Sequence, residues 1–299
     1  MLRGDFASAW AVCDDVLRAR AGMPCAHLPR HLQWLWDGTP VEGKRVLIHC
    51  YHGLGDTVMF LRFASVLKPI AREVLVRAQP ALLRLLRSNA GIDQLLPLHD
   101  GWPEIERDLD VESMELAHVL RATPASLPAK VPYLHADTAR LDATVATLRV
   151  GLVWSVSNWE HEARTIPFAL LEPLFRIPDL ELHALQRGEA LARWPRDLGR
   201  ISGSDSVEKA ATVIRALDLV ISVDSFPAHL AGALGVPVWT LLPEPSNWRW
   251  MTQREDSPWY PTMRLFRQPR PGDWTTVIAR VADELRLLVA AKRSRAHAA

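Results

Sequence analysis

The chain is short of cysteine and lysine. Its 299 residues hold three cysteines, Cys13, Cys25 and Cys50, in no paired or metal-ligand spacing. So few thiols build neither a disulfide framework nor a zinc site, and they fit a reducing compartment. Lysine is confined to Lys44, Lys68, Lys130, Lys209 and Lys292, far behind arginine. Arginine suits bidentate phosphate contacts, but biased genomic base composition accounts for most of this excess. An excess of one charge is also missing: 35 basic residues face 34 acidic ones, a net charge of +1. That balance gives no overall attraction to nucleic acid or to an anionic membrane, so any anion binding must be local. No apolar run is long enough to span a bilayer. Asp14 and Asp15 fall where a signal peptide needs apolar residues, so the first segment does not read as a leader. No unit of about 20–50 residues repeats, which excludes a solenoid. Neither half holds the G-x-G-x-x-G turn of a dehydrogenase.

What is present is an ordinary globular composition, 48% hydrophobic and 23% charged. The length points to two domains. A helix is expected over 5–20, from the helical spacing of Phe6, Trp10, Cys13, Val16 and Leu17. A loop with Pro24 and Pro29 follows, then a strand at Val46–Cys50. Beyond it strands and helices alternate: helix 57–67, strand 73–78, helix 80–88, strand 94–98, and "DVESM" as a further strand leading into "ELAHVLRA". The Pro- and Ala-rich stretch 123–142 reads as a linker. The alternation then restarts: strand 149–155, helix 167–176, strand 180–186, helix 205–218, strand 219–224, helix 226–235, strand 236–242 and strand 263–268. A long amphipathic helix closes the chain. Alternation of this kind argues for parallel sheets with helices on both faces. The chain therefore reads as two doubly wound α/β halves, whose ligands bind outside the carboxyl ends of the strands.

Four stretches are candidates for chemistry. The first, "HGLGDT", joins a strand to a helix. Asp56 is expected to cap that helix, and at a strand's carboxyl end it could also serve as a general base. His52 beside it is either an acceptor contact or a turn residue. The second, "VDSFPAHLAGALG", places Asp224 at a strand end and Ser225 as the cap of a helix. Pro227 and His229 follow in its first turns, and Gly232 is expected to let the helix pack closely on the sheet. A helix N-terminus after a strand is an anion site. Asp224 could instead hold ribose hydroxyls, and His229 could be an ordinary core histidine. The third, "WSVSNWEHEARTIP", offers Ser155, Ser157 and Arg164 at a strand's carboxyl end, a set suited to a diphosphate. A helix is expected to start after Arg164. The fourth, "EPSNWRWMTQREDSPWYP", crowds Trp248, Trp250, Trp259 and Tyr260 into a loop with Arg249 and Arg254. Most of these aromatics are expected to pack rather than bind. "DLD" at 108–110 and His161 with its glutamate neighbours lack a convergent ligand set, so no metal site is expected.

Taken in order, "VLIHCYHGLGDTVMFLRFASVL", "VGLVWS…NWEHEARTIP", "LHALQRG" and "DLVISVDSFPAHLAGALGVPVWTLLPEP" resemble glycosyltransferase family 9, the ADP-heptose:lipopolysaccharide heptosyltransferase superfamily. The resemblance covers about residues 35–290. It is nearer to bacterial members that carry tetratricopeptide repeats ahead of the transferase, which are distantly similar to O-GlcNAc transferases. It implies an α/β GT-B fold, two Rossmann-like doubly wound domains facing across a cleft. On that reading residues 1–34 are the helical remnant of a repeat region, 35–140 the acceptor-side domain and 141–299 the nucleotide-sugar domain. The last helix is expected to pack back on the N-terminal domain.

By motif position, Asp56 matches the aspartate proposed as catalytic base. Ser155, Ser157 and Arg164 match the diphosphate loop, and Gln186 the strand end where base or ribose packs. Asp224, Ser225 and His229 match the nucleotide-sugar turn, although the family often has Asp-Thr where this chain has Asp224-Ser225-Phe226-Pro227. On the acceptor side the resemblance points to His52, Gly53, Gly55, Glu112, Met114, Glu115 and His118. It implies inverting, metal-independent transfer from a nucleotide-diphosphate sugar, with no other cofactor, to a glycan, lipid-linked or protein hydroxyl. The place would be the cytoplasm, with peripheral attachment to the inner membrane as a variant. Two rivals share the fold: a non-catalytic sugar-nucleotide-binding or interaction module, and a sugar-nucleotide epimerase.

Overall fold

The computed structural model describes residues 1–99, 104–141, 147–156, 161–195 and 197–298. The chain divides into two compact units, Met1–His135 and Ala136–Ala299.

In the first unit, α1 (Phe6–Arg20) starts where the Asp5 carboxylate accepts the Ser8 N–H, a regular N-cap. Phe6 and Trp10 are its buried residues. Trp10 Nε1 donates to the Ala122 carbonyl at 2.6 Å, and its ring stacks on His118 at 5.4 Å. Asp14 meets His118 Nε2 and Arg121 Nη1, each at 2.8 Å. These contacts fasten the helix to the rest of the unit.

The sheet of this unit is parallel, with strands β1 (Arg45–His49), β2 (Glu73–Ala78), β3 (Gln94–Pro97) and β4 (Leu109–Glu112) in the order β3-β2-β1-β4. Val46, Leu47 and Ile48 are fully buried on both faces of the sheet, as expected of an apolar run in a parallel strand. The helices are short: α2 (Leu54–Phe60), α3 (Ala64–Leu67), α4 (Leu83–Leu86) and α5 (Leu116–Val119). The helix expected over 57–67 begins earlier, at Leu54, and is broken by a 3-10 turn at Leu61–Phe63. At that break Arg62 turns inward and donates Nε to the Met59 carbonyl at 2.8 Å.

The second unit holds β5 (Leu148–Val153), β6 (Leu180–Ala184), β7 (Arg200–Ile201), β8 (Leu219–Val223), β9 (Val238–Leu242) and β10 (Met263–Arg267). All pair in parallel, in the order β10-β9-β8-β5-β6-β7. Its helices are α6 (His161–Arg164), α7 (Glu172–Phe175), α8 (Val207–Arg215), α9 (Phe226–Ala233) and α10 (Trp274–Ala298). The long α10 buries Trp274, Val277, Ile278, Val281, Leu285 and Val289. It packs on α7 and β10 of its own unit, and Lys292 near its end binds Asp218 at 2.8 Å. Among the described residues, no helix is long and apolar enough to cross a membrane.

Each sheet has one point where the strand order reverses: between β1 and β4 in the first, between β5 and β8 in the second. At such a switch point the connections leave in opposite directions, and the carboxyl ends of the two strands border a ligand crevice.

Candidate functional site

At the second switch point, β5 runs into Trp154 and Ser155, and β8 into Asp224 and Ser225. Gln186, just past β6, binds the first pair together. Its Oε1 accepts the N–H groups of Trp154 (3.1 Å) and Ser155 (3.0 Å). Its Nε2 donates to the carbonyls of Ser155 (3.2 Å) and Arg187 (2.9 Å). An amide side chain offers two acceptor positions and two donors, so all four are used. Gln186 shapes the site by fixing backbone, and only its aliphatic and π surfaces remain for a ligand. Ser155 Oγ lies 3.1 Å from Thr165 Oγ1, which closes the loop after β5. Ser157 lies outside the described residues.

Arg164 ends α6, and the helical turns expected after it run from Phe168 to Phe175. Its Nη1 donates to the Asp224 carbonyl at 3.0 Å and stands 3.6 Å from Asp224 Oδ2. His229 Nε2 is 3.6 Å from Asp224 Oδ1. Burial alone would raise the Asp224 carboxyl. The His229 imidazole, the Arg249 charge and the Trp250 indole outweigh it and bring the carboxyl down to about 2. Asp224 is therefore a buried anion held among cationic and N–H groups.

Ser225 is the N-cap of α9 by backbone position, yet its side chain makes no cap bond. Its Oγ pairs with Ser222 Oγ at 2.8 Å instead. The start of α9 therefore has no hydroxyl cap; the Ala228 N–H is held by the Ser225 carbonyl at 3.1 Å, and Pro227 brings no N–H.

The Trp-rich loop supplies the wall. Trp250, Trp259 and Tyr260 are fully buried. Trp250 stacks on His229 at 5.4 Å, and Tyr260 Oη lies 3.0 Å from His229 Nδ1. Trp259 Nε1 fixes the Arg249 carbonyl at 2.7 Å. Gly232 was expected to let α9 approach the sheet. Its close neighbour is the Tyr260 ring, which an added Cβ would meet at 2.5 Å. A glycine there lets Tyr260 reach His229.

At the first switch point, β1 runs into the turn Cys50–Gly53, and β4 ends on Glu112. Gly53, not Asp56, is the N-cap of α2, and Gly55 sits inside the helix. Asp56 occupies the third helical position, and its Oδ2 accepts the Gly53 N–H at 3.2 Å, the back half of a capping box.

His52 Nδ1 is 3.1 Å from Glu112 Oε1. Glu112 is buried, as is His118, which packs between Trp10 and Trp36 and faces Asp14. Glu115 accepts the N–H groups of Leu35, Trp36 and Glu112. Burial pushes its carboxyl up; the three N–H groups oppose this and the Glu112 charge adds to it, leaving the group at about 7. The structure thus gathers His52, Gly53, Asp56 and Glu112 at one strand end, while His118 and Glu115 serve contacts with α1 and the 35–36 segment. Thr165 and Gln79 carry no signal in the sequence, and Tyr260 and Arg249 stand there in the Trp-rich loop with no visible link to His229 and Asp224.

A cavity of about 400 Å³ opens elsewhere, lined by Leu148, Pro237, Trp239, Arg264 and Glu284. It lies at the amino ends of β5 and β9, opposite the switch point, and its Arg264 and Glu284 are already paired at 2.8 Å. The strand topology and the convergent polar groups favour the carboxyl ends as the site.

Residues 183–268 match the family model of glycosyltransferase family 9 (heptosyltransferase). That segment is similar to glycosyltransferase family 9. It spans β6 to β10 and contains Gln186, Asp224, Ser225, His229 and the Trp-rich loop. Among curated proteins the chain is 28% identical over 288 residues to Protein FlbA of Caulobacter vibrioides, covering 84% of this chain and 48% of that protein. The chain thus spans about half the length of that relative.

Solved structures share the fold at low identity. The glycosyl transferase family 9 protein from Veillonella parvula superposes with a TM-score of 0.61 at 13% identity, over 84% of this chain and 99% of that one. The iron-containing dodecameric glycosyltransferase TibC from enterotoxigenic E. coli gives 0.56 at 13%, over 86% and 78%. ADP-heptose lipopolysaccharide heptosyltransferase II of E. coli gives 0.54 at 14%, over 83% and 99%. The family 9 architecture is GT-B, two Rossmann-like α/β units, and both sheets here are of that parallel kind.

Proposed function

We propose that the chain is a glycosyltransferase moving a sugar from a nucleotide-diphosphate donor to a hydroxyl acceptor, with inversion and without a metal. The observation that carries this reading is the convergence of Arg164, Asp224 and His229 at the switch point of the second sheet, within and beside the family 9 segment. The second unit takes the donor. Arg164, Arg249 and the amino end of α9 supply positive potential where the leaving diphosphate gains charge. Asp224 is an anion itself and suits donor hydroxyls rather than phosphates. The first unit takes the acceptor, a glycan, lipid-linked or protein hydroxyl. Asp56, at the start of α2, accepts the proton as the acceptor oxygen attacks the anomeric carbon and the carbon–phosphate oxygen bond breaks. Free cysteines agree with a cytoplasmic setting.

Thermal melting against ADP-heptose, UDP-GlcNAc, GDP-sugars and dTDP-sugars tests the donor assignment. One donor class should raise the melting temperature of the wild type, and Arg164→Ala should abolish the shift. A flat response to all of them counts against a nucleotide-sugar site. Full transferase activity in Asp56→Asn would remove Asp56 from the role of base.

A further inference from the structure

The turn after β1 is held by side chains from three other elements. Gln79, beyond β2, donates Nε2 to the carbonyls of Cys50 (3.0 Å) and His52 (2.6 Å). Its Oε1 accepts Thr57 Oγ1 at 3.0 Å. Asp56 holds the Gly53 N–H, and Glu112 Oε1 accepts the Tyr51 N–H at 3.1 Å. A turn fixed this fully can present a side chain at a set angle, the condition for a working site.

His52 is the side chain presented. Glu112, 2% exposed at its side chain, lies under it across the switch point, with 3.1 Å between Oε1 and Nδ1. The other partners of this carboxylate are donors: Ser113 Oγ at 2.9 Å and the Met114 N–H at 2.6 Å, besides Tyr51. A carboxylate in that role favours the proton on Nδ1 of a neighbouring neutral imidazole, which leaves Nε2 as the ring's acceptor atom. Nδ1 is buried within ion-pair reach of the carboxylate. The His52 side chain keeps 28% exposure, so the ring is reachable from solvent.

We propose that His52 orients the acceptor: its Nε2 accepts a hydrogen bond from the attacking hydroxyl, and Glu112 is the positioning residue that sets ring angle and tautomer. The inference rests on the transfer reading above and adds the group that selects a neutral hydroxyl. The proton still passes to Asp56.

The test uses the full chain, the donor that the wild type turns over, and glycerol as a probe acceptor, with water as the competing one. Transfer to glycerol and donor hydrolysis are measured separately for wild type, His52→Ala, His52→Gln and Glu112→Gln, each checked for an unchanged melting curve. Loss of the acceptor contact in His52→Ala should raise the KM for glycerol by about ten-fold, while the KM for donor and the donor-induced melting shift stay put. His52→Gln should recover part of the loss through its amide oxygen, and Glu112→Gln should show the same split between acceptor and donor. If His52→Ala transfers to glycerol with an unchanged KM, or if donor and acceptor constants worsen together, the inference is overturned. Absence of donor turnover by the wild type would instead strike down the transfer reading itself, and the inference with it.

Discussion

Arg164 and Asp224 meet across the second switch point, guanidinium to backbone carbonyl at 3.0 Å and to carboxylate at 3.6 Å. The contact joins the end of α6 to the end of β8, and in the proposed transfer its cation faces the leaving diphosphate. Arg164→Ala should lower kcat/KM by on the order of 10²–10³, the usual effect of removing one preorganised electrostatic partner. Arg164→Lys should recover only part, because a point charge cannot reproduce the planar fork. Steady-state kinetics with the accepted donor checks both.

Gly232 and Tyr260 are coupled by space. A Cβ at position 232 would meet the Tyr260 ring at 2.5 Å, and the ring, fully buried, has nowhere easy to go. Gly232→Ala should cost about 1–3 kcal/mol, as overpacking does. It should also weaken nucleotide-sugar binding, since Tyr260 would leave His229. Tyr260→Phe keeps the volume and removes the hydroxyl, so its stability cost should be nearer ~1 kcal/mol. Denaturant unfolding and melting shifts separate the two effects.

Glu115 makes stability pH-dependent. Burial lifts its carboxyl from an ordinary 4.5 to about 7 in the folded chain. Between those values the folded state holds the proton more often than the unfolded state does. The contribution is therefore full below about pH 4.5 and is lost as pH rises through about 7. Unfolding free energies measured from pH 5 to 8 should decline through this window, and Glu115→Gln should flatten that part of the slope.

Trp10 anchors α1. It is 6% exposed and donates to the Ala122 carbonyl. Trp10→Ala should cost about 3–5 kcal/mol and make the segment near Arg20 more sensitive to protease. Asp14→Ala, at a more exposed contact, should cost much less. Limited proteolysis with melting curves checks this pair.

Much of the fold is legible in the sequence because apolar runs and helical spacing are local signals. "EVLVRA" becomes β2 at its expected ends, and "LVISV" becomes β8, fully buried. Two-residue β7 leaves no periodic trace; it exists because Arg200 and Ile201 pair with His183 and Ala184 at the sheet edge. The start of α2 was displaced because Gly-Leu-Gly looks like turn, whereas Asp56 reaching back to Gly53 sets the helix from Leu54.

In the site, Arg164, Asp224 and His229 could be singled out by residue type at strand ends. Their companions could not. Tyr260 reaches His229 from 31 residues away. Thr165 and Gln79 look like ordinary loop polar residues until Ser155 and the Cys50–His52 carbonyls come within their reach. The raised Glu115 carboxyl depends on burial beneath Leu35 and Trp36, which no local pattern encodes.

The most direct test of the account is nucleoside-diphosphate release from a panel of nucleotide sugars, with the product's anomeric configuration read by NMR. Release from one donor class is expected, with a product inverted relative to that donor and rates lowered by on the order of 10²–10³ in Arg164→Ala. Retention of configuration, or release by Arg164→Ala at the wild-type rate, would contradict it.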